Sequence, residues 1–188
     1  MGRRGGLCWP MGGFRHYRVK DSMGPTPGYT IRPITPADEP FLWEALYHAI
    51  YVALGDAPPE QDVVNRPELA RYVRGWGDAN DLGFIAVAEE KQQPIGAAWI
   101  RLLTGDDGGY GYTDDTTPEL SVAVLPEYRG RGIGTRLLIH LLQAVSIHHP
   151  SVSLSVEAGN PASRLYRRLG FEIVSTSGTS LLMRKTLV

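Results

Sequence analysis

The chain of 188 residues contains a single cysteine, Cys8, and no long hydrophobic run. One cysteine cannot form an intrachain disulfide, which excludes the disulfide scaffold of many small secreted domains and fits a reducing compartment. No apolar stretch approaches the ~20 residues that span a bilayer. A secretory signal has an apolar run after its basic start, and no such run follows the N-terminal arginines here. We therefore expect a cytoplasmic protein that has no membrane partner.

An excess of charge of one sign is also missing, because 19 Lys and Arg residues face 20 Asp and Glu residues and the net charge is −1. Domains that bind nucleic acid are usually strongly basic, so nucleic acid is not an expected partner. The basic side chains are nevertheless concentrated at one end, since residues 1–20 contain five of them and no acid. We interpret residues 1–28, which are rich in Gly, Pro and Arg, as an irregular basic N-terminal extension. A basic arm that contacts anions is the alternative.

Residues 29–188 show the periodic patterns of one folded domain, in the order β-α-α-β-β-β-α-β-α-β-β. The pattern predicts a first strand over Tyr29–Thr35, a short second helix over Arg66–Trp76 and a final hairpin around Gly178. The mixed order indicates an α/β (α+β) fold with a mixed, mostly antiparallel central sheet flanked by helices. The unit Glu119–Glu157 should be a right-handed parallel strand–helix–strand unit. The closing hairpin offers an edge for a possible homodimer.

A loop of alternating arginine and glycine, read as RGRGIG, joins the strand of that unit to a helix predicted over Arg131–Ile147. The first N–H groups of a helix have no partner within it, and the helix dipole places partial positive charge there. Glycines allow left-handed backbone and leave no Cβ between the backbone and a ligand. Arg129 and Arg131 add full charges suited to phosphate oxygens. The loop therefore predicts a phosphate or pyrophosphate site.

Other phosphate motifs fit this loop less well. A P-loop requires a Lys-Ser or Lys-Thr pair that is not found here. The dinucleotide fingerprint is G-x-G-x-x-G, whereas this chain has G-x-G-x-G; Glu157 does end the next strand, so a dinucleotide site remains open. An Arg-Gly contact with RNA requires several copies, and the chain has one.

Two motifs resemble those of the GNAT superfamily of N-acetyltransferases. The segment VAVLPEYRGRGIGTRLL resembles the family's acetyl-CoA-binding motif, Arg/Gln-x-x-Gly-x-Gly/Ala, with Arg129, Gly132 and Gly134 at the motif positions. The segment SLSVEAGNPASRLYRRLGF is similar to the second family signature, with Asn160 and Tyr166 in place. The resemblance is strong over Glu119–Phe171 and follows the element order from Tyr29 to Val188, whereas residues 1–28 have no counterpart.

The resemblance implies a GNAT-like fold that binds acetyl-CoA in a cleft where two strands, Glu119–Leu125 and Val152–Glu157, splay apart. No metal is expected, because His148 and His149 have no further ligands at a matching spacing. Asn160 would contact the pantetheine arm, although an Asn before a Pro is also a preferred helix cap. The backbone groups implied to hold the pantetheine arm are those of Val122, Ala123 and Val124. Those implied to hold the pyrophosphate belong to Arg129, Gly130, Arg131, Gly132, Ile133, Gly134 and Thr135.

The resemblance also suggests catalytic residues. Tyr166 matches the family's usual general acid, which protonates the departing thiolate; alternatively it belongs only to the buried face of its helix. Glu119 starts the central strand, where an acid in several family members deprotonates the amine, often through water. A solvated strand end is the alternative for Glu119, and Ser121 and Glu157 are weaker candidates for the base.

The expected function is transfer of an acetyl group from acetyl-CoA to a primary amine by direct attack. The polar loop Thr104–Pro118 carries four aspartates and two tyrosines. Such a loop favours a small cationic amine or a basic peptide as acceptor, unless it is only a solvated loop. A domain that binds acyl-CoA without catalysis, as a sensor or a partner module, is the alternative function.

Overall fold

The structure, a computed structural model, describes residues 28–187, so the predicted N-terminal extension lies outside the described residues except for Gly28. The order of helices and strands predicted from the sequence is confirmed. The helices are α1 (Glu39–Ala49), α2 (Pro67–Ala70), α3 (Ile133–Val145) and α4 (Ala162–Arg168). The strands are β1 (Tyr29–Pro33), β2 (Leu82–Ala88), β3 (Pro94–Arg101), β4 (Glu119–Val124), β5 (Ser151–Glu157), β6 (Glu172–Ser177) and β7 (Ser180–Thr186).

The seven strands form one mixed sheet in the order β1-β2-β3-β4-β5-β7-β6. Every neighbouring pair is antiparallel except β4 and β5, which are parallel because α3 carries the chain back between them. The predicted fold class is thus confirmed. The closing hairpin places β7 against β5 and leaves β6 as an outer strand that is exposed along its whole length. Its use as a dimer edge stays a prediction.

Helices cover both faces of this sheet because their apolar residues recur at helical spacing. Helix α3 buries Leu137, Leu138 and Leu141 completely against one face of the sheet. Helix α1 packs Leu42, with its neighbours at helical spacing, on the other face around the fully buried Trp99. Within residues 28–187, no helix has the length and apolar character needed to cross a membrane.

The second helix is shorter than predicted, because α2 ends at Ala70 whereas the sequence pattern continued to Trp76. Side chains from β3 donate hydrogen bonds to the backbone carbonyl groups that would accept N–H groups within a longer helix. Trp99 donates from Nε1 to the carbonyl of Tyr72 at 2.9 Å, and Arg101 donates to two further carbonyls of this segment at 3.1 and 2.7 Å. Other predicted ends differ by about two residues, the usual scatter of such boundaries.

A cleft opens between β4 and β5 near the middle of the sheet. Strand β4 pairs with β3 along its full length, and β5 pairs likewise with β7. Between β4 and β5, however, the only paired residues are Glu119 and Ser153. The two strands therefore diverge after the first residue of β4, as expected for the resemblance, and expose backbone edges to the space between them.

Candidate functional site

The start of α3 presents a row of backbone N–H groups at the open end of the cleft. Gly132 is the N-cap of this helix and has a left-handed backbone with φ of 78°. Over residues 28–187, no protein acceptor is hydrogen-bonded to the N–H groups of Gly132, Ile133, Gly134 or Thr135. The N–H of Arg129 is different, because it donates to the Pro126 carbonyl at 3.2 Å. The predicted anion site thus has four available donors at the helix start.

The three glycines of the loop are needed for different reasons. Gly130 and Gly132 have φ of 74° and 78°, and a Cβ at either position would meet open space, so their requirement is conformational. Gly134 does not have positive φ, and its Cβ would lie 3.6 Å from Cγ2 of Val124, an ordinary contact. The fold itself therefore tolerates a side chain at 134. The predicted ligand contact at Gly134 stays a prediction.

The two arginines of the loop are held by the fold. Arg129 donates from Nε to the Val124 carbonyl at 2.9 Å and from a terminal nitrogen to the His48 carbonyl at 3.2 Å, which ties the end of β4 to α1. Arg131 donates to the Glu127 carbonyl at 2.9 Å and lies 5.3 Å from the centre of the Tyr128 ring. Both charges stay beside the loop, and their predicted contacts with phosphate stay predictions.

Backbone groups of β4 face the cleft at alternate residues. The N–H of Leu125 donates to the Ile95 carbonyl of the β3 side at 2.9 Å, so Ala123, two residues earlier, also directs its peptide groups to β3. The peptide groups of Val122 and the N–H of Val124 consequently face the cleft, whereas the Val124 carbonyl already accepts from Nε of Arg129. The prediction that Ala123 offers its backbone to pantetheine is wrong, because β3 already uses those groups.

Tyr166 lies on α4 and is 7% exposed, with its ring in an edge contact with Phe171 at 5.8 Å between centroids. Burial raises the pKa of its hydroxyl to about 12, so the hydroxyl stays protonated at neutral pH. No hydrogen bond of this hydroxyl is found among the described residues, and no fully buried polar side-chain atom there lacks a partner, so the hydroxyl oxygen keeps some access to solvent. The residue therefore belongs to the buried helix face and also keeps a donor free, while its role as an acid stays a prediction.

Asn160 caps the helix that carries Tyr166. Its Oδ1 accepts a hydrogen bond from the N–H of Ala162 at 2.9 Å, so the capping interpretation is confirmed and the contact with pantetheine stays a prediction. Near it, Tyr51 donates from its hydroxyl to the Gly159 carbonyl at 3.0 Å. This bond connects the segment after α1 with the loop between β5 and α4.

Glu119 is buried, with 1% exposure, so the alternative of a solvated strand end is wrong. Its Oε1 accepts from the N–H of Gly109 at 2.6 Å. Its Oε2 accepts from the N–H of Gly111 at 2.7 Å and from the hydroxyl of Tyr72 at 2.8 Å. Sequence reasoning missed Tyr72, which lies 47 residues from Glu119 and carries no motif.

Two of the four loop aspartates fold the loop itself. Asp114 accepts from Thr116 and Thr117, and the Thr116 hydroxyl is the main cause that lowers the pKa of Asp114 to about 2. Asp115 accepts from the N–H of Gly105 at 2.8 Å and from the hydroxyl of Tyr112 at 2.9 Å. The loop is therefore an ordered structure and not only a charged surface. Across residues 28–187, no group of three or more His, Cys, Asp or Glu residues could hold a metal ion.

Comparison with known proteins places these features in one family. The model of the acetyltransferase (GNAT) family matches residues 43–171. Mycothiol acetyltransferase of Pseudarthrobacter chlorophenolicus is 31% identical over 149 residues, which are 77% of this chain and 42% of that protein. Mycothiol acetyltransferase of an Arthrobacter species is also 31% identical, over 147 residues. The chain thus spans about two fifths of the length of the curated relatives it matches.

Solved structures show the same architecture. The structure of yncA from Salmonella typhimurium with its cofactor acetyl-CoA is 26% identical, with a TM-score of 0.59, and the match covers 85% of this chain and 94% of that one. The PaiA N-acetyltransferase of Thermoplasma acidophilum, in complex with coenzyme A, is 20% identical with a TM-score of 0.59 over 84% of this chain and 98% of that one. The second similarity concerns the fold alone.

Proposed function

Because this chain belongs to the acetyltransferase (GNAT) family, we propose that it transfers the acetyl group of acetyl-CoA to an amine. The two motifs predicted this enzyme class, an acetyl-CoA-dependent acetyltransferase, and the family match confirms the class for the domain. Acetyl-CoA is the co-substrate, as in the related complex with yncA. The observation that carries the proposal is the row of four available N–H groups at residues 132–135, which ends the cleft between β4 and β5.

Acetyl-CoA would follow the cleft from one end to the other. The N–H groups at the start of α3 would bind its pyrophosphate, which the helix dipole also favours. The pantetheine arm would run along β4 and pair with the N–H of Val124 and the outward peptide groups of Val122, in the manner of an added strand. The thioester would then reach the beginning of β4, near the single pairing of Glu119 with Ser153.

The proposed reaction is a direct attack. The nitrogen of a neutral amine forms a bond to the thioester carbonyl carbon, and the carbon–sulfur bond breaks. The departing thiolate takes the hydroxyl proton of Tyr166; this hydroxyl is protonated at neutral pH, but the burial that raises its pKa also makes it a weaker acid. The nitrogen releases one proton to solvent, and the phenolate of Tyr166 takes one proton back from solvent. Glu119 as the base that takes this proton stays a prediction, and both of its oxygens already accept hydrogen bonds.

The acceptor is proposed to be a small cationic amine or a peptide amine. Exposed acids of the ordered loop, Asp106 and Asp107, support a cationic molecule. The name of the curated relatives supports a mycothiol-related amine as a second candidate, although those relatives are more than twice as long as the matched region. A cytoplasmic location and a homodimer stay predictions.

The test is release of free coenzyme A thiol from acetyl-CoA by the purified chain in the presence of single amines. The panel contains spermidine, a lysine peptide, an amino sugar and a mycothiol-related amine. We expect saturable release with at least one of them, and mass spectrometry should show acetylation on nitrogen. Binding of acetyl-CoA without release with any amine would favour the non-catalytic acyl-CoA-binding alternative.

A further inference from the structure

The turn Gly108–Tyr112 is folded around the buried carboxylate of Glu119. Two of its N–H groups, from Gly109 and Gly111, donate to the two carboxylate oxygens. A third, from Tyr110, donates at 2.7 Å to the hydroxyl of Tyr72, and that hydroxyl donates in turn to Glu119. Three consecutive residues of the turn are therefore held by one carboxylate and one phenol.

The glycines of the turn are required by space. A Cβ on Gly109 would collide with the Tyr72 hydroxyl and lie 2.7 Å from Oε2 of Glu119. A Cβ on Gly111 would lie 2.9 Å from the same oxygen and 3.0 Å from Cα of Leu154. Neither glycine has positive φ, so the constraint is steric and not conformational. The turn thus fits the Glu119–Tyr72 pair closely and has little freedom to move while the pair is intact.

The turn lies at the point where the cleft closes. Leu154, which Gly111 approaches, follows Ser153, the residue of β5 that pairs with Glu119. The glycine loop lies at the other end of β4. Acetyl-CoA bound with its pyrophosphate on that loop brings its thioester towards the turn. An amine that attacks the thioester must therefore approach beside the turn.

Glu119 is poorly suited to act as a base. Its two oxygens already accept three hydrogen bonds, and 1% exposure leaves almost no access for water or for an amine. Burial, followed by the charge of Glu119, raises the pKa of Tyr72 far above its usual value, so this phenol remains a donor throughout an assay range. A proton added to Glu119 would displace one of the donors that hold the turn.

We propose that Glu119 and Tyr72 are positioning residues that hold the turn Gly108–Tyr112 as a wall of the acceptor-amine site, and that Glu119 is not the general base. This inference rests on the proposed function, because the amine and its approach belong to that reaction. It adds Tyr72 to the residues that determine acceptor binding.

The experiment uses the full chain and the variants Tyr72→Phe and Glu119→Gln. Tyr72→Phe removes the phenol that holds the N–H of Tyr110 but leaves the carboxylate in place. Tyr47→Phe is the control, because it likewise removes one tyrosine hydroxyl, the donor to the Pro59 carbonyl at 2.9 Å, from a residue outside the turn. The probe amine is spermidine, or the amine of the panel with the highest rate. The readouts are KM for the amine, Kd for acetyl-CoA and the pH dependence of kcat/KM.

The positioning role predicts that Tyr72→Phe and Glu119→Gln each raise the KM for the amine by roughly tenfold, the effect of one lost hydrogen bond to a charged group. Kd for acetyl-CoA should stay within about twofold, and the shape of the pH profile should not change. Tyr47→Phe should behave as the wild type. A kcat that falls by about 100-fold or more only in Glu119→Gln, with loss of the acidic limb of the profile, overturns the proposal in favour of a base. Equal loss of acetyl-CoA binding in both variants overturns it as well.

Hydrogen exchange separates failure of this inference from failure of the proposed function. The amides of residues 109–111 should exchange at least about tenfold faster in Tyr72→Phe than in the wild type. The N–H of Tyr110 loses its acceptor, and the Glu119 carboxylate that binds the other two N–H groups loses the hydrogen bond from Tyr72. This readout requires no acceptor. Unchanged exchange overturns the inference even if the enzyme is active. Faster exchange in a chain that turns over no amine overturns the acceptor-site role and the proposed function. In that case the hydrogen bonds from Tyr72 and Glu119 to the turn are still supported.

Discussion

A carboxylate placed at position 134 should interfere with acetyl-CoA directly. Gly134 lies in the first turn of α3, where its N–H is one of the four available donors. A side chain can be added there without backbone strain, because φ is not positive and the Cβ would have only an ordinary contact with Val124 at 3.6 Å. Gly134→Glu should therefore fold normally and bring a negative charge over the anion site.

The magnitude follows from the charges. A carboxylate about 6 Å from a phosphate charge, at an effective dielectric constant of about 20, is repelled by about 3 kcal/mol. This energy corresponds to a rise of roughly 100-fold in the Kd for acetyl-CoA. The effect should shrink at 1 M salt, where the screening length falls to about 3 Å.

Isothermal titration with acetyl-CoA measures this effect. Gly134→Gln is the matched control, since glutamine has the size of glutamate without its charge, and Gly134→Ala tests the added Cβ alone. We expect the alanine variant to bind within about threefold of the wild type and the glutamine variant to lie between alanine and glutamate. Equal affinities for the glutamate and glutamine variants, or wild-type affinity for both, would refute the placement of the phosphates at the start of α3.

Three further predictions concern other parts of the molecule. Tyr166→Phe should lower kcat by about 100-fold or more and leave Kd for acetyl-CoA within about twofold, because only the donated proton is lost; an unchanged kcat would remove Tyr166 from the mechanism. Gly109→Ala should lower the free energy of unfolding in urea by about 1–3 kcal/mol, because the new methyl group collides with Tyr72, and an unchanged midpoint would contradict the described turn. Asp38, bonded to Arg32 at 2.7 Å, has its pKa lowered from 3.8 to about 2. Since the folded pKa is the lower one, this bond stabilises the fold above pH ~4 and is lost as pH falls towards 2, so thermal unfolding of Asp38→Asn should depend less on pH in that window.

The parts of the site predicted from the sequence are those specified by neighbouring residues. The anion site at the start of α3 depends on glycines within one loop, and their consequences for φ and for free N–H groups are local. The cap formed by Asn160 is equally local, because it requires only an Asn followed by Pro at the first turn of a helix. The parallel strand–helix–strand unit follows from handedness and element order.

The parts that the sequence did not reveal depend on contacts between distant segments. The role of Glu119 is set by Tyr72, 47 residues earlier, and by a turn whose glycines looked like those of any polar loop. The early end of α2 is caused by Trp99 and Arg101, which take carbonyls of a segment about 27 residues away. Ala123 was misjudged because its pairing with β3 depends on the register of two strands, which one strand's pattern does not contain.

The central claim is that the arginine–glycine loop and the cleft beside it bind acetyl-CoA. Isothermal titration of the wild-type chain with acetyl-CoA, with coenzyme A and NADH as comparison ligands, tests it most directly. We predict saturable binding of acetyl-CoA and coenzyme A with one site per chain and no binding of NADH. Binding of NADH in preference to acetyl-CoA would contradict the claim in favour of the dinucleotide interpretation, and binding of neither acetyl-CoA nor NADH would contradict it without supporting that interpretation.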